Sequence, residues 1–314
     1  MSTTPPTTAI IIANPMAGSY IQQRHQIEET LSYLRDHNWQ VELKLTEQAG
    51  DAPRLTREAV ERNVEAVIAV GGDGTINEII QELAGTETAL GVLPSGTING
   101  WARETGIPLD NVGAREVLLR GRTRRIDLGR LNDRYFLLMA GVGVDAEVTR
   151  AIEHKPLKRF GVLSYLLVGT WLGLGYPSFQ VIVRVGKRTI RTRAVEIIIG
   201  NTQLYGGAVK FTWRAKCDDG LLDICVVRTQ NAFGRIAVSL DFLLRKPERH
   251  QWVRYEKCNM VRLHTNKPIA IQLDGEPAGY TAKRGFPPTT FTVVPGILKV
   301  IVPQKTAEDL FSQA

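Results

Sequence analysis

The feature that most constrains the fold is an apolar stretch, Ala66–Val70, that runs directly into three closely spaced glycines. The glycine run consists of Gly71, Gly72, Asp73, Gly74, Thr75, Ile76, Asn77 and Glu78. A buried strand, a glycine turn and a helix N-terminus together form a cradle for phosphate, because glycine allows close approach and free N–H groups favour an anion. The run is neither a P-loop nor a dinucleotide-binding motif of the G-x-G-x-x-G type. A tight turn without a ligand is the alternative interpretation.

The first 130 residues alternate between short apolar strands and helical patterns. Strands are predicted at Ala9–Ala13, Val41–Leu45, Ala66–Val70 and Leu90–Leu93, and helices at Ile21–Asp36, Pro53–Arg62, Ile76–Leu83, Ile98–Glu104 and Val112–Leu119. This alternation predicts an α/β fold, in which residues 9–130 form a doubly wound parallel-sheet nucleotide domain. Ligands of such sheets bind beyond the carboxyl ends of the strands. Asn14, Thr46, Gly71–Gly74 and Pro94–Thr97 are all expected there.

From residue 131 the pattern changes to β-strands separated by turn signals. The predicted strands are Tyr135–Met139, Phe179–Val185, Thr189–Gly200, Leu222–Val227, Val261–Thr265, Ile269–Leu273 and Thr290–Val294, with helices at Leu163–Gly173 and Ile236–Leu244. Residues 131–295 are therefore predicted to form a β-sandwich. Residues 296–314 are expected to return to the first domain through a strand, Leu298–Val302, and a helix, Thr306–Phe311. Residues 1–8 are expected to be a disordered lead.

The charge balance favours anionic partners. The chain has 314 residues, a formal net charge of +7 and a pI near 9.4, which suits nucleotides or an anionic membrane surface. Its basic clusters lie at Arg120–Arg125, Arg184–Arg193, Arg245–Arg249 and Lys283–Arg284, and each is either a solvated face or a binding surface. Nucleic-acid binding is disfavoured, because no aromatic and basic residues are interleaved in a recognised motif.

One uncharged run has three interpretations. Val162–Leu174 is shorter than the ~20 residues that span a bilayer. It suits a buried core helix, the lining of an acyl-chain pocket, or a membrane-docking segment with the amphipathic rings of Tyr165, Trp171 and Tyr176. The three cysteines have no metal-ligand spacing and their odd number fits a reducing cytoplasm. A cytoplasmic enzyme, peripheral at the membrane, is expected, and both a monomer and a homodimer remain open.

A second glycine motif repeats the logic of the first. Pro94–Arg103 follows a predicted strand and contains Gly96, Thr97, Asn99 and Gly100. Thr97 is expected to cap the following helix and to donate its hydroxyl to a phosphate oxygen. Capping alone is the alternative role for this threonine.

The motifs together resemble a known family. In order along the chain they are Gly71–Glu78, Gly96–Asn99, Ile126–Gly129, Gly141–Ala146, Asp219–Asp223 and Leu273–Glu276. The series looks like the soluble bacterial lipid kinases of the diacylglycerol kinase catalytic-domain family, relatives of sphingosine kinases. The resemblance covers residues 9–303. The first motif is shared with NAD kinases, whereas the Asp274-Gly275-Glu276 element favours the lipid-kinase branch.

The resemblance implies that residues 131–295 bind the lipid substrate, and it implies a set of roles for matching residues. It implies that ATP lies between the domains with its phosphates on Gly72–Glu78, with Thr97 beside them and Thr46 contacting the nucleotide. It implies a structural Mg²⁺ held by Asp219 and the carbonyls of Lys216 and Leu221. Asp73 and Asp127 match acidic residues near the catalytic metal. Glu276 matches the general base.

Two points stay open. Many diacylglycerol kinases of this group have Asp where this chain has Gly100, so either fewer carboxylates hold the metal or the substrate differs. Glu276 is by default a solvated turn residue, and Asp73 is the rival base. The expected function is an ATP- and Mg²⁺-dependent kinase for a hydroxyl of diacylglycerol or a related lipid. An NAD kinase and a non-catalytic nucleotide-binding regulator are the alternatives.

Overall fold

A computed structural model describes residues 7–15, 20–153, 175–205, 209–228, 231–243, 252–306 and 309–312. The chain divides into two compact units. Unit 1 comprises Met1–Ile126 and Gly296–Glu308, and unit 2 comprises Asp127–Pro295 and Asp309–Ala314. Residues Asp309–Ala314, which were expected to return to the first domain, therefore cluster with unit 2.

Unit 1 is built on a parallel sheet. Its elements are β1 (Thr7–Ala13), α1 (Tyr20–Asp36), β2 (Trp39–Leu45), α2 (Asp51–Glu61), β3 (Ala66–Gly71), α3 (Asp73–Leu83), β4 (Ala89–Pro94), α4 (Gly100–Thr105) and α5 (Asn111–Arg120). The strands lie in the order β2-β1-β3-β4, and each neighbouring pair is parallel. Every residue of β3 is buried, as expected for a strand covered on both faces. Helices α1 and α5 pack together, as do α2 and α3, which confirms the predicted α/β architecture.

Two long strands belong partly to each unit. β5 (Arg122–Leu131) leaves unit 1, and β18 (Thr289–Val302) enters it. Within unit 1, Val300 of β18 pairs in parallel with Leu90 of β4. The predicted strands Thr290–Val294 and Leu298–Val302 are one continuous strand. Pro295 and Gly296 lie within it and do not end it.

Unit 2 is a β-sandwich. Its further elements are β6 (Arg134–Phe136), β7 (Met139–Gly143), α6 (Val144–Glu153), β8 (Phe179–Val185), β9 (Arg188–Ala194), β10 (Glu196–Gly200), β11 (Leu204–Tyr205), β12 (Val209–Lys210), β13 (Leu222–Val227), α7 (Ala232–Leu243), β14 (Val253–Cys258), β15 (Met260–Thr265), β16 (Ala270–Leu273) and β17 (Glu276–Tyr280). One layer has the order β18-β15-β8-β9, and the other has the order β14-β13-β10-β7-β16-β17. Phe136, Phe179 and Phe291 are fully buried in the core that both layers share. The predicted sandwich is confirmed.

Several predicted boundaries in unit 2 are wrong. The predicted strand Tyr135–Met139 is split between β6 and β7, and the predicted strand Thr189–Gly200 is split at Val195 between strands of opposite layers. Strands β5 and β14 were missed, because arginine and lysine interrupt the apolar pattern by which the other strands were predicted.

The chain ends also differ from the expectation. Thr7 and Thr8 belong to β1, so the lead does not extend to residue 8. Asp309 and Leu310 form a turn rather than part of the predicted helix. The predicted helix Leu163–Gly173, together with the apolar run Val162–Leu174, lies outside the described residues. Among the described helices, none is long and apolar enough to cross a bilayer.

Candidate functional site

The loops at the carboxyl ends of four parallel strands meet at one edge of unit 1. The Asn14 N–H lies 3.4 Å from the Val70 carbonyl, and the Thr46 N–H donates to the Ala13 carbonyl at 3.0 Å. The Ser95 N–H donates to Gly71 at 3.0 Å, which joins the loop after β4 to the loop after β3. The sequence prediction that these loops converge is therefore correct. Residues 16–19, which follow Asn14 and Pro15, lie outside the described residues.

The two glycine turns pack backbone against backbone. A Cβ atom added to Gly96 would lie 2.5 Å from the Gly72 Cα, a distance that real side chains do not adopt. A Cβ atom on Gly71 would lie 2.4 Å from the Thr75 hydroxyl oxygen. Both positions therefore require glycine for close approach, and no side chain separates the two loops at this point.

Asp73 connects the two loops. Asp73 is the first residue of α3. Its carboxylate accepts the Gly100 N–H at 2.9 Å and the Trp101 N–H at 3.3 Å. These two amides belong to the first turn of α4, so Asp73 caps a helix that is distant in sequence. Burial raises the pKa of Asp73 above its ordinary value, although the two amides favour the charged form.

The predicted capping role of Thr97 is wrong. The residue that precedes α4 is Asn99, in the left-handed region at φ 52°, and its side chain does not cap the helix. The Asn99 amide instead closes its own loop, accepting the Gly96 N–H at 2.9 Å and donating to the Gly96 carbonyl at 2.7 Å. Asp73 supplies the cap of α4 instead. Thr97 is exposed in the loop before the helix.

The N-terminus of α3 is arranged for an anion. Gly72 precedes the helix, and this N-cap residue makes no side-chain capping hydrogen bond. Thr75, Ile76 and Asn77 are buried on the inner side of the first turns, whereas Gly74 and Glu78 are half-buried. The first-turn amides can therefore hold phosphate oxygens, and the macrodipole of an 11-residue helix favours negative charge there.

In unit 2, Glu276 lies on a tight hairpin. Asp274 and Gly275 have φ values of 49° and 83°, which is the backbone of a two-residue turn with both central residues left-handed. Glu276 pairs with Leu273 across the turn, and its half-exposed carboxylate forms an ion pair with Arg134. The same guanidinium donates to the Pro277 carbonyl at 3.3 Å. Sequence reasoning missed Arg134, because nothing local connects it to residue 276.

Asp274 does more than form this turn. Its carboxylate accepts N–H groups from Leu137 at 2.6 Å, Leu138 at 2.9 Å and Met139 at 2.9 Å. These amides lie between β6 and β7, where the predicted single strand breaks. Asp274 therefore fixes the Glu276 hairpin to the neighbouring strands and replaces the missing ladder bonds there.

Asp219 and Asp127 meet at a second turn of unit 2. Asp127 is buried, and its carboxylate accepts the Gly220 N–H at 2.6 Å. The Asp219 carboxylate accepts the Leu221 N–H at 3.1 Å and forms an ion pair with Lys257 at 2.7 Å. The Asp127 side chain thus holds the turn that carries Asp219.

The oxygens around Asp219 fit a hard cation only in part. A carboxylate and the carbonyls of Lys216 and Leu221 are the type of ligand that Mg²⁺ prefers. Lys257, however, already neutralises Asp219 and also lies 3.2 Å from Asp223, so a metal would have to displace this ammonium. Within the described ranges there is no group of three or more His, Cys, Asp or Glu that could hold a metal.

A buried carboxyl pair lies in the sandwich and was not assigned a role from the sequence. The Glu196 carboxylate accepts N–H groups from Val142 at 3.1 Å and Asp145 at 2.8 Å. The Asp145 carboxylate contacts the Tyr205 hydroxyl and the Gln272 amide. Burial raises the pKa of Asp145 to about 6, and burial together with the charge of Asp145 raises the pKa of Glu196. Asp145 lies in the Gly141–Ala146 motif, whereas the sequence signal for Glu196 is an acidic residue next to an apolar strand.

Comparison with known proteins agrees with these features. The family model described as "Diacylglycerol kinase catalytic domain" matches residues 8–131, and the one described as "YegS C-terminal NAD kinase beta sandwich-like domain" matches residues 139–302. A relative from Chromohalobacter salexigens named "Probable lipid kinase YegS-like" is 32% identical over 290 residues, covering 91% of both chains. The Bacillus subtilis diacylglycerol kinase is 30% identical over 305 residues, covering 96% of this chain and 98% of its own.

Solved structures share the fold. A crystal structure of a diacylglycerol kinase from Bacillus anthracis has a TM-score of 0.72 at 20% identity, with coverage of 96% of this chain and 98% of its own. Two further crystal structures from that organism have TM-scores of 0.78 and 0.79 at 24% identity. The fold and the two matched domains define a kinase of the lipid-kinase class. The chain belongs to the diacylglycerol kinase catalytic-domain family, as the motif series predicted.

Proposed function

We propose that this chain is an ATP- and Mg²⁺-dependent kinase that transfers the terminal phosphate of ATP to a hydroxyl of diacylglycerol or a related lipid. The observation that carries the proposal is the cradle of unit 1. There the backbones of the glycine turns at Gly72 and Gly96 are in contact, and α3 begins after a glycine that makes no side-chain cap. Relatives named diacylglycerol kinase and lipid kinase support the class of acceptor.

The cradle residues would bind and orient the nucleotide. The phosphates would rest on Gly72–Glu78, with amides of the first turn of α3 as donors. The exposed Thr97 hydroxyl would lie beside them, and Thr46, joined to Ala13, would contact the nucleotide. Asp73 would keep the second glycine turn in place, because its carboxylate holds Gly100 and Trp101.

Glu276 would act as the general base. Its carboxylate would accept the proton of the lipid hydroxyl while that oxygen bonds to the terminal phosphorus. The bond from this phosphorus to the bridging oxygen breaks, and the electron pair leaves with ADP. Arg134 would hold one carboxylate oxygen in position.

Mg²⁺, when bound, supplies neutralisation of phosphate charge and structural support. Asp219, with the carbonyls of Lys216 and Leu221, would hold the structural ion after displacing Lys257. Asp127 would act beside it by orienting the Gly220 turn. With Gly100 in place of an acidic residue, Asp73 and Asp127 are the remaining candidates for carboxylates near a catalytic ion.

The test is a phosphorylation assay with labelled ATP and three acceptors: a bacterial lipid extract, purified diacylglycerol, and NAD. Label is expected in the lipid and not in NAD. Glu276→Gln should lower turnover by ~10²–10⁴-fold while ATP binding is preserved, because the phosphates rest on unit 1. Glu61→Gln, an exposed carboxylate on α2, is the matched control.

Three results would contradict parts of the proposal. Label in NAD would identify an NAD kinase. ATP binding without turnover across a lipid panel would identify a non-catalytic regulator. Parental turnover in Glu276→Gln would remove the base assignment and leave Asp73 as the candidate.

A further inference from the structure

The β18-β15-β8-β9 layer of the unit 2 sandwich carries a concentration of positive charge that the proposed chemistry does not use. Residues 179–194, 260–267 and 281–294 contain five, two and two lysines and arginines, and no aspartate or glutamate. The formal net charge of the whole chain is only +7, so these 38 residues carry more net positive charge than the protein does.

Strand alternation directs these cations to one side. Phe179, Val181, Val183 and Val185 of β8 face the core, and the intervening Arg184 is exposed. On β9, Ile190 and Ala194 are buried, and Arg191 and Arg193 between them are exposed. On β15, Arg262 is exposed between Val261 and Leu263. Arg184, Arg191, Arg193, Arg262, Lys283 and Arg284 define the cationic face.

The register brings like charges into direct opposition. Arg184 pairs with Arg262 across the β8–β15 ladder. Arg191 pairs with Ile182, two residues from Arg184, and is therefore a diagonal neighbour of Arg184. Directly opposed side chains lie about 4.5–5.5 Å apart at Cβ, and like charges at that distance destabilise a sheet. None of Arg184, Arg191 and Arg262 forms an ion pair with a described residue. Arg188 differs, since its guanidinium lies 3.4 Å from the Glu256 carboxylate.

An exposed aromatic ring lies beside the charges. The turn at Lys283–Phe286 is attached to β15, because the Phe286 carbonyl lies 2.9 Å from the His264 ring nitrogen. Lys283 and Arg284 are exposed on this turn, and Phe286 is 66% exposed. An apolar ring flanked by cations is suited to the boundary between lipid headgroups and acyl chains.

We propose that the cationic face, with Phe286 at its edge, is the surface through which the protein docks on an anionic phospholipid bilayer. The inference rests on the proposed function, since a kinase for a membrane lipid must reach its substrate at a bilayer. A flat sheet face fits an extended charged surface better than it fits a single small anion. A nucleic acid is disfavoured, because aromatic rings for base stacking do not alternate with these arginines.

The test is sedimentation of the full chain with lipid vesicles in the absence of ATP. Vesicles of phosphatidylcholine are compared with vesicles in which phosphatidylglycerol replaces a third of the lipid. Binding is expected only to the anionic vesicles and should fall with added salt, since exposed charges are screened over ~10 Å at about 0.1 M. Each arginine near such a surface contributes about fivefold in partitioning, so the triple variant Arg184→Gln, Arg191→Gln, Arg262→Gln should bind on the order of a hundredfold less.

The matched control removes the same charge from unit 1. Arg24→Gln, Arg57→Gln and Arg120→Gln change exposed arginines on α1, α2 and α5. This variant should keep parental vesicle binding, and Phe286→Ser should bind several-fold more weakly than the parent. Equal loss in both triple variants would show that only net charge matters and would overturn the proposal.

Two further measurements separate this inference from the kinase proposal. Turnover of a short-chain, water-soluble diacylglycerol should be unchanged in the cationic-face variant, because no bilayer is involved. If the parent phosphorylates the water-soluble diacylglycerol but does not bind anionic vesicles, the docking surface is refuted while the kinase proposal stands. Tighter binding of the parent to single-stranded RNA than to vesicles, lost in the triple variant, would assign the face to nucleic acid. Thermal unfolding verifies that each variant is folded.

Discussion

The Asp73 carboxylate accepts the main-chain N–H of Gly100 at 2.9 Å, which links the loop after β3 to the helix after β4. The same carboxylate reaches Trp101 at 3.3 Å. The family resemblance implies an acidic residue at the position of Gly100. In this chain the position contributes a backbone donor to Asp73, so the two glycine loops are joined through hydrogen bonds rather than through a pair of acidic side chains.

Asp73→Ala should lower the free energy of unfolding by about 1–3 kcal/mol, because two amides of α4 lose a partially buried acceptor. ATP binding should weaken with it, since the Gly96 turn is no longer held. Asp73→Asn keeps one acceptor oxygen and should be intermediate. Urea unfolding without metal and a nucleotide titration measure the two effects. Parental metal-free stability in Asp73→Ala would show that this link is not structural.

Gly96→Ala should weaken ATP binding strongly and cost about 1–3 kcal/mol of stability. The added Cβ would lie 2.5 Å from the Gly72 Cα, and backbone cannot move aside as a flexible side chain can. Gly175→Ala is the control, because a Cβ there meets no heavy atom within 4 Å. Unchanged nucleotide affinity in a folded Gly96→Ala variant would contradict the close packing of the two turns as the basis of the cradle.

Asp274→Gly should destabilise the protein by about 3 kcal/mol or more, because three N–H groups between β6 and β7 lose their acceptor. Glycine adopts the φ of 49° without strain, so the effect reports the carboxylate and not the turn. Asp274→Asn should cost less. Asp110→Ala, which removes the acceptor of a single amide at the start of α5, should cost only about 1 kcal/mol. Equal costs measured by chemical unfolding for residues 274 and 110 would refute the three-amide role.

Asp145→Asn should change how stability depends on pH. Burial raises the pKa of Asp145 from 3.8 to about 6 in the folded state, so the folded state binds more protons than the unfolded state between these values. The free energy of unfolding of the parent should therefore fall as pH rises from about 4 through about 6. The variant should show a smaller fall, since only Glu196 then keeps a pKa raised by burial, and it should be more stable than the parent by about 1–3 kcal/mol at pH 8.

Unfolding by urea at several pH values measures the Asp145 effect. Asp36→Asn, at an exposed site on α1, is the control and should keep the parental profile. A parental slope between pH 4 and 7 in Asp145→Asn would show that Asp145 does not bind the extra proton. The Tyr205 and Gln272 contacts can be kept by the asparagine amide, so the comparison reports charge rather than packing.

The sequence by itself determined those local elements in which the order of apolar and polar residues follows the order of buried and exposed positions. The all-apolar β3, the glycines after it and the alternating β8 could be read directly, because a strand buried on two faces and a strand buried on one face have different patterns. The motif series also identified the family. The charged strands β5 and β14 could not be predicted in this way, since their arginines and lysines hide the pattern of buried positions.

Only the tertiary structure decided what each acidic side chain contacts. Asp73 holds Gly100 from 27 residues away, Asp274 holds Leu137 from 137 residues away, and Glu276 meets Arg134. Asp219 likewise forms its ion pair with Lys257, which is 38 residues away. A carboxylate carries the same charge in every context, so the sequence can indicate that an acid is important. Its partner is set by which loops the packed sheets bring together, and that is a property of the fold.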